Sequence, residues 1–163
     1  DEARTRDQLL RLVREHDVSG FFHTIAIVID ADAIPHSHPV LTLHTRHLDD
    51  DALLLSTFLH EELHWFTVAR RGGLDAAAAD LRARFSSIAV GYPDGADDER
   101  SSYEHLVVDH LEHVAVRAVL GEAEAARTLA FWRGDHYRAL YEIEARDEAE
   151  IEAIVAANGL THP

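Results

Sequence analysis

LLLSTFLHEELHWFTVARR, residues 53–71, decides how this chain is read. The acidic run Asp49-Asp50-Asp51 opens the segment and Gly72-Gly73 closes it, so start and stop signals predict one helix over 53–71. On a helical wheel Leu53, Ser56, Thr57, His60, His64 and Thr67 share a face. Leu54, Phe58 and Trp65 flank that face on one side, and Leu55, Leu59, Leu63 and Phe66 on the other. A helix this apolar around most of its circumference is a buried one. Two histidines on it then need partners, because unpaired polar groups inside a protein are costly.

His60-Glu61-Glu62-Leu63-His64 supplies a reason for the pair. Positions i and i+4 lie one helical turn apart, so both imidazoles can reach one metal ion. A catalytic zinc takes three protein ligands and leaves a fourth position to water, and Glu61 stands where it can take a proton from that water. A hydrogen-bonded structural histidine pair is the alternative. This pattern resembles the active-site helix of the zincin metallopeptidases. The resemblance implies His60 and His64 as ligands, Glu61 as general base, and metal-assisted hydrolysis as the chemistry.

Composition narrows the setting. The 163 residues fit a single domain over 1–163, and 47% hydrophobic with 28% charged residues is ordinary for a soluble globular protein. No apolar run reaches the length of a membrane span, and no signal peptide or lipidation motif stands out, although a removed leader stays open. With no cysteine, histidine and carboxylates are the strong metal ligands, and the expected location is cytoplasmic. The formal charge of −15 argues against nucleic acid and anionic membranes as partners. All 15 basic residues are arginine, which a GC-rich genome or a redesign in a reduced alphabet explains.

Outward from the central helix, the pattern is α+β and mostly helical with a small sheet. Residues 2–16 read as a helix, with Leu9, Leu12, Val13 and His16 at helical spacing. Residues 21–30 and 40–46 read as strands, joined by a long hairpin loop or by a crossover. A short helix over 75–86, capped by Asp75, precedes an irregular stretch from 89 to 100 that suits an active-site rim. Helices follow at 102–120, capped by Ser101 or Ser102, at 122–132, and at 136–157, where Asp135 can serve as cap.

The helix over 102–120 is the place to seek a third ligand. Val107, Leu111, Val114 and Ala118 form its core stripe, while His105, Asp109 and Glu112 line up on another side. His105 leads as ligand, with Glu104 and Glu112 competing; Glu104 lies about 100° around the helix, so both cannot easily bind. In one zincin branch the third ligand is a glutamate followed four residues later by an aspartate that supports a ligand histidine. Here His105 and Asp109 have that spacing, with histidine in place of glutamate. Asp109 and Glu112 suit a supporting role behind a ligand imidazole, or a hydrated face. His110 and His113 fall with Arg117 on a further face and read as surface residues.

Two other stretches carry polar groups. In Pro35-His36-Ser37-His38-Pro39 the histidines can hold a second metal, touch substrate, or decorate a loop. His136 and Tyr137 follow Asp135, and either ring near a metal can stabilise an oxyanion, helix capping and aromatic packing being the plainer reading. PHSHPVLTL, then HExxHW, a YxHL helix and a WxxDHY stretch together resemble small bacterial proteins of the zincin type over residues 35–141. That likeness adds weight to His38, His105, Glu112, His136 and Tyr137 as site residues. The zincin resemblance also implies a strand beside the metal whose edge pairs with extended substrate, and 40–44 is the segment for it.

The expectation is therefore a compact zincin-like α+β domain that uses Zn2+ held by His60, His64 and His105. Glu61, His136 and Tyr137 act on a peptide or small amide substrate, with Asp109, Glu112 and His38 in support. A binding or regulatory domain with structural zinc, and an iron or manganese enzyme, are the alternatives.

Overall fold

In the computed structural model, which describes residues 1–161, helix α2 spans Asp51–Val68 and is buried along almost its whole length. The Asp50 side chain caps it by accepting from the Leu53 N–H at 3.1 Å. Leu54, Leu55, Phe58, Leu59, Leu63 and Phe66 enter the main core. The acidic start and the burial thus follow the sequence reading, but the helix ends at Val68 and not at Arg71, which opens the next helix.

Helix α1 covers Glu2–Glu15, and a 3-10 turn at Ser19–Phe21 leads to β1, Ile27–Ile29. The strand predicted over 21–30 is thus confined to its last third. Strand β2, Leu41–Leu43, pairs with β1 in parallel, with Ile27 opposite Leu41 and Ile29 opposite Leu43. The connection is the crossover and not the hairpin. The chain leaves β1, folds back along the opposite edge of β2, and then re-enters as β2. Thr42 and His36 exchange both backbone hydrogen bonds there, at 2.8 and 3.1 Å. Thr42 therefore has no free edge, which corrects the expectation that 40–44 pairs with an extended substrate.

Helix α3 runs Arg71–Arg84 and α4 runs Glu99–Leu120. Gly72 and Gly73 sit inside the first turn of α3 and do not close α2. At Gly73 a Cβ would lie 2.6 Å from the Asn158 carbonyl, so the glycine serves close helix contact. Asp75 is not a cap; it lies within α3 and pairs with Arg71 and Arg100. Asp98, not either serine, caps α4 by accepting from the Ser101 N–H at 2.7 Å. Helix α5, Glu122–Trp132, matches the sequence reading, and α6, Arg138–Ala157, bends at Asp147.

The fold is mostly helical with one small sheet, in which α4 is central and packs against α2, α3, α5 and α6. Its predicted core stripe is too narrow. Leu106, Val107, Val108, Leu111, Ala115 and Val116 are buried, whereas Ala118 is exposed. His110 and His113 are buried as well, at 2% and 7% exposure, against the expectation of surface residues. Helix α6 covers them, and its arrival could not be read from α4 alone. Among the described residues no helix is long and apolar enough to cross a membrane.

Candidate metal centre

Where α2 faces α4, three imidazoles meet. His60 and His64 come from α2 and His105 from the first half of α4. The two Nε2 atoms of α2 stand 3.1 Å apart. Ligand atoms of all three rings lie within 4.8 Å of one another. Two nitrogens bound to one tetrahedral zinc stand about 3.3 Å apart. The donor set therefore fits a single ion after small side-chain adjustments.

The rings are held from behind. His60 Nδ1 faces Glu112 Oε2 at 3.0 Å, and His105 Nδ1 faces the Ser101 carbonyl at 2.9 Å. Both contacts place a donating N–H on Nδ1, so Nε2 carries the lone pair a metal needs. Burial, followed by the neighbouring imidazoles, holds His60 and His64 well below the ordinary histidine range. Burial lowers His105 too. All three are thus neutral at physiological pH, which is the ligating form.

Glu112 is the hub of this support. Tyr141 donates to Oε2 at 2.6 Å, Ser56 donates to Oε1, and Trp132 Nε1 donates to Ser56 Oγ at 2.8 Å. Both Glu112 oxygens are engaged, one of them by His60. Arg71 and Arg100 donate to Glu104. Asp109 differs from Glu112, with which it shared the expectation of a supporting role. Its Oδ1 lies 3.7 Å from His60 Nδ1, and neither oxygen has a hydrogen-bond partner among the described residues. Burial, then Glu112, pushes its carboxyl well above the usual carboxylate range.

The imidazoles open into a cavity of about 890 Å³. Glu61 lines it beside His60 and His64. Burial and the Glu112 charge push Glu61 up to about 8. A dication among the three histidines would favour its carboxylate form. Tyr137 also lines the cavity, its ring centroid 4.5 Å from that of His105, and burial keeps its hydroxyl neutral. His136 stands next to it, with Nδ1 facing Asp135 Oδ2 at 2.8 Å. Asp135 is not a helix cap. Arg46 grips both of its oxygens and holds it down at about 2. His136 and Tyr137 precede α6 and do not project from its first turns.

The 33–37 segment and the 92–97 loop form the rim, as the irregular composition of 89–100 suggests. Tyr92 is 85% exposed there, and Gly95 is required because a Cβ would meet the Ala89 carbonyl at 2.0 Å. His36 lines the cavity, whereas His38 stacks on Trp65 with centroids 4.0 Å apart. Their Nδ1 atoms turn to separate partners, the Ile34 carbonyl and Ser37 Oγ, which gives no support to a shared metal. His38 therefore braces α2 from outside. Sequence reasoning missed Ser56 and Trp132 as supports, and Arg46 as the partner of Asp135. Ser56 left a signal, since it lies four residues before His60 on the same face, and Trp132 opens the WxxDHY stretch.

Compared with known proteins, the chain finds no matching family profile, no matching curated protein and no matching solved structure.

Proposed function

We propose that this protein is a zinc-dependent hydrolase of a peptide or other amide bond, zincin-like in its use of one helix for two ligands and a base. The observation that carries the reading is the meeting of three neutral imidazoles from two helices, at the floor of a cavity that Glu61 also lines. His60, His64 and His105 hold the ion. When bound, zinc supplies Lewis acidity, which polarises a carbonyl and acidifies water.

The remaining work falls to this chain's own side chains. Glu61 accepts the proton of the attacking water and delivers it to the leaving nitrogen. Tyr137, a neutral hydroxyl beside His105, donates to the oxygen on which negative charge develops. His136, oriented through Nδ1 by Asp135, offers its other nitrogen to the same region of the cavity. Glu112 keeps His60 in the correct tautomer.

The test is metal content followed by turnover. Protein purified without added metal is expected to carry or take up zinc at the three-histidine site, and His105→Ala to lose it. A panel of short peptides and N-acyl compounds then identifies the substrate class. Zinc content that is unchanged in both His105→Ala and His64→Ala overturns the assignment.

A further inference from the structure

We propose a second divalent-cation site, built between α4 and α6 by His113, Glu144 and Glu148. It is independent of the hydrolase reading, and none of its residues lines the cavity. One ligand atom from each of the three lies within 4.8 Å of the others. Glu144 and Glu148 stand four residues apart on α6, across its bend at Asp147, and His113 meets them from α4.

The cluster is not a solvated acidic face. Glu144 is fully buried and His113 is 7% exposed. His113 Nδ1 is buried with no hydrogen-bond partner among the described residues. An imidazole nitrogen left bare inside a protein costs free energy unless something binds it. A cation bound at Nδ1 and shared with the two carboxylates would supply that partner.

Surrounding groups set the ligands without occupying them all. His110 Nδ1 stands 3.0 and 3.2 Å from the two oxygens of Glu144 and fixes that carboxylate. Arg117 donates to Oε1 of Glu148 through Nη2, and its Nε lies 3.4 Å from Glu122. The guanidinium offsets one of the two negative charges and leaves the other for a cation. One imidazole with two carboxylates suits zinc, manganese or ferrous iron. It does not suit calcium or magnesium, which prefer all-oxygen shells. An ion there would pin α6 to α4 below the turn that carries Tyr141 toward Glu112.

Equilibrium dialysis of the full chain against zinc alone tests this. Wild type is expected to bind two ions. His113→Asn is expected to bind one, and so is the His60→Ala, His64→Ala double variant. In that double variant zinc should still raise the melting temperature, and adding His113→Asn should abolish the rise. Should His113→Asn fail to fold, Glu148→Gln at the half-exposed ligand reads the same loss. Two ions retained in both His113→Asn and Glu148→Gln, or one ion in wild type that the His60→Ala, His64→Ala change removes, overturns the site.

Discussion

Helix α4 carries histidines and carboxylates on two sides, and the two sides are finished differently. Toward α2, His105 and Glu112 face a cavity, and the Nδ1 atoms of His60 and His105 are anchored by Glu112 and the Ser101 carbonyl. Toward α6, His110 and His113 meet Glu144 and Glu148 in a packed interface, and a guanidinium takes part in the charge balance. The same residue types thus make a reactive-looking site on one side and a closing contact on the other. What separates them is access and the support behind the rings. Residue identity alone does not.

The sharpest way to break this contrast is at Glu61, which belongs only to the open side. Glu61→Gln keeps the shape of the side chain and removes the proton acceptor. Zinc content is expected to stay at the wild-type level while hydrolysis of the best panel substrate falls by roughly 10²–10⁴-fold. Glu62→Gln is the matched control, since the amide oxygen can still accept from the His23 and Thr24 N–H groups that Glu62 now holds at 2.7 and 3.0 Å. Turnover by Glu61→Gln within a few-fold of wild type, with zinc bound, sinks the water-activation role.

A second experiment sharpens the meaning of support. Glu112→Gln leaves the ligands in place but puts a neutral amide where His60, Ser56 and Tyr141 now converge. Zinc affinity at the three-histidine centre is expected to drop by about 10–100-fold. Competition against a chelator of known affinity measures it. An unchanged affinity makes Glu112 a packing residue and nothing more.

Much of the open side was legible because it is local. Asp50, the apolar wheel and the one-turn spacing of His60 and His64 all lie within α2, and His105 heads a recognisable second helix. The other side was not legible. Calling His110 and His113 surface residues required knowing that nothing would pack on them, yet α6 arrives from about thirty residues downstream. The choice between hairpin and crossover for β1 and β2 stayed open for a similar reason. Pro35 and Pro39 mark a break in the strands, but only the His36–Thr42 bonds reveal that the chain doubles back along the far edge. Asp135 was misread because a residue just before a helix is a natural cap, whereas Arg46, 89 positions away, claims it.

The smallest effect is expected at Asp109, which shared with Glu112 the expectation of a supporting role. Both sit behind His60 and both are buried. Only Glu112 is bonded. Among the described residues neither Asp109 oxygen has a hydrogen-bond partner, and burial raises its carboxyl toward the neutral form, so an amide resembles it in shape and lies close to it in charge. Asp109→Asn therefore exchanges one group for another of similar shape and charge. Chemical denaturation is expected to show a stability change under about 1 kcal/mol, well below what breaking a bonded buried charge costs. Zinc affinity should move less than threefold, against the larger loss in Glu112→Gln. A drop of tenfold or more in Asp109→Asn means that His60 leans on Asp109 once metal is bound, and that the 3.7 Å separation closes on loading.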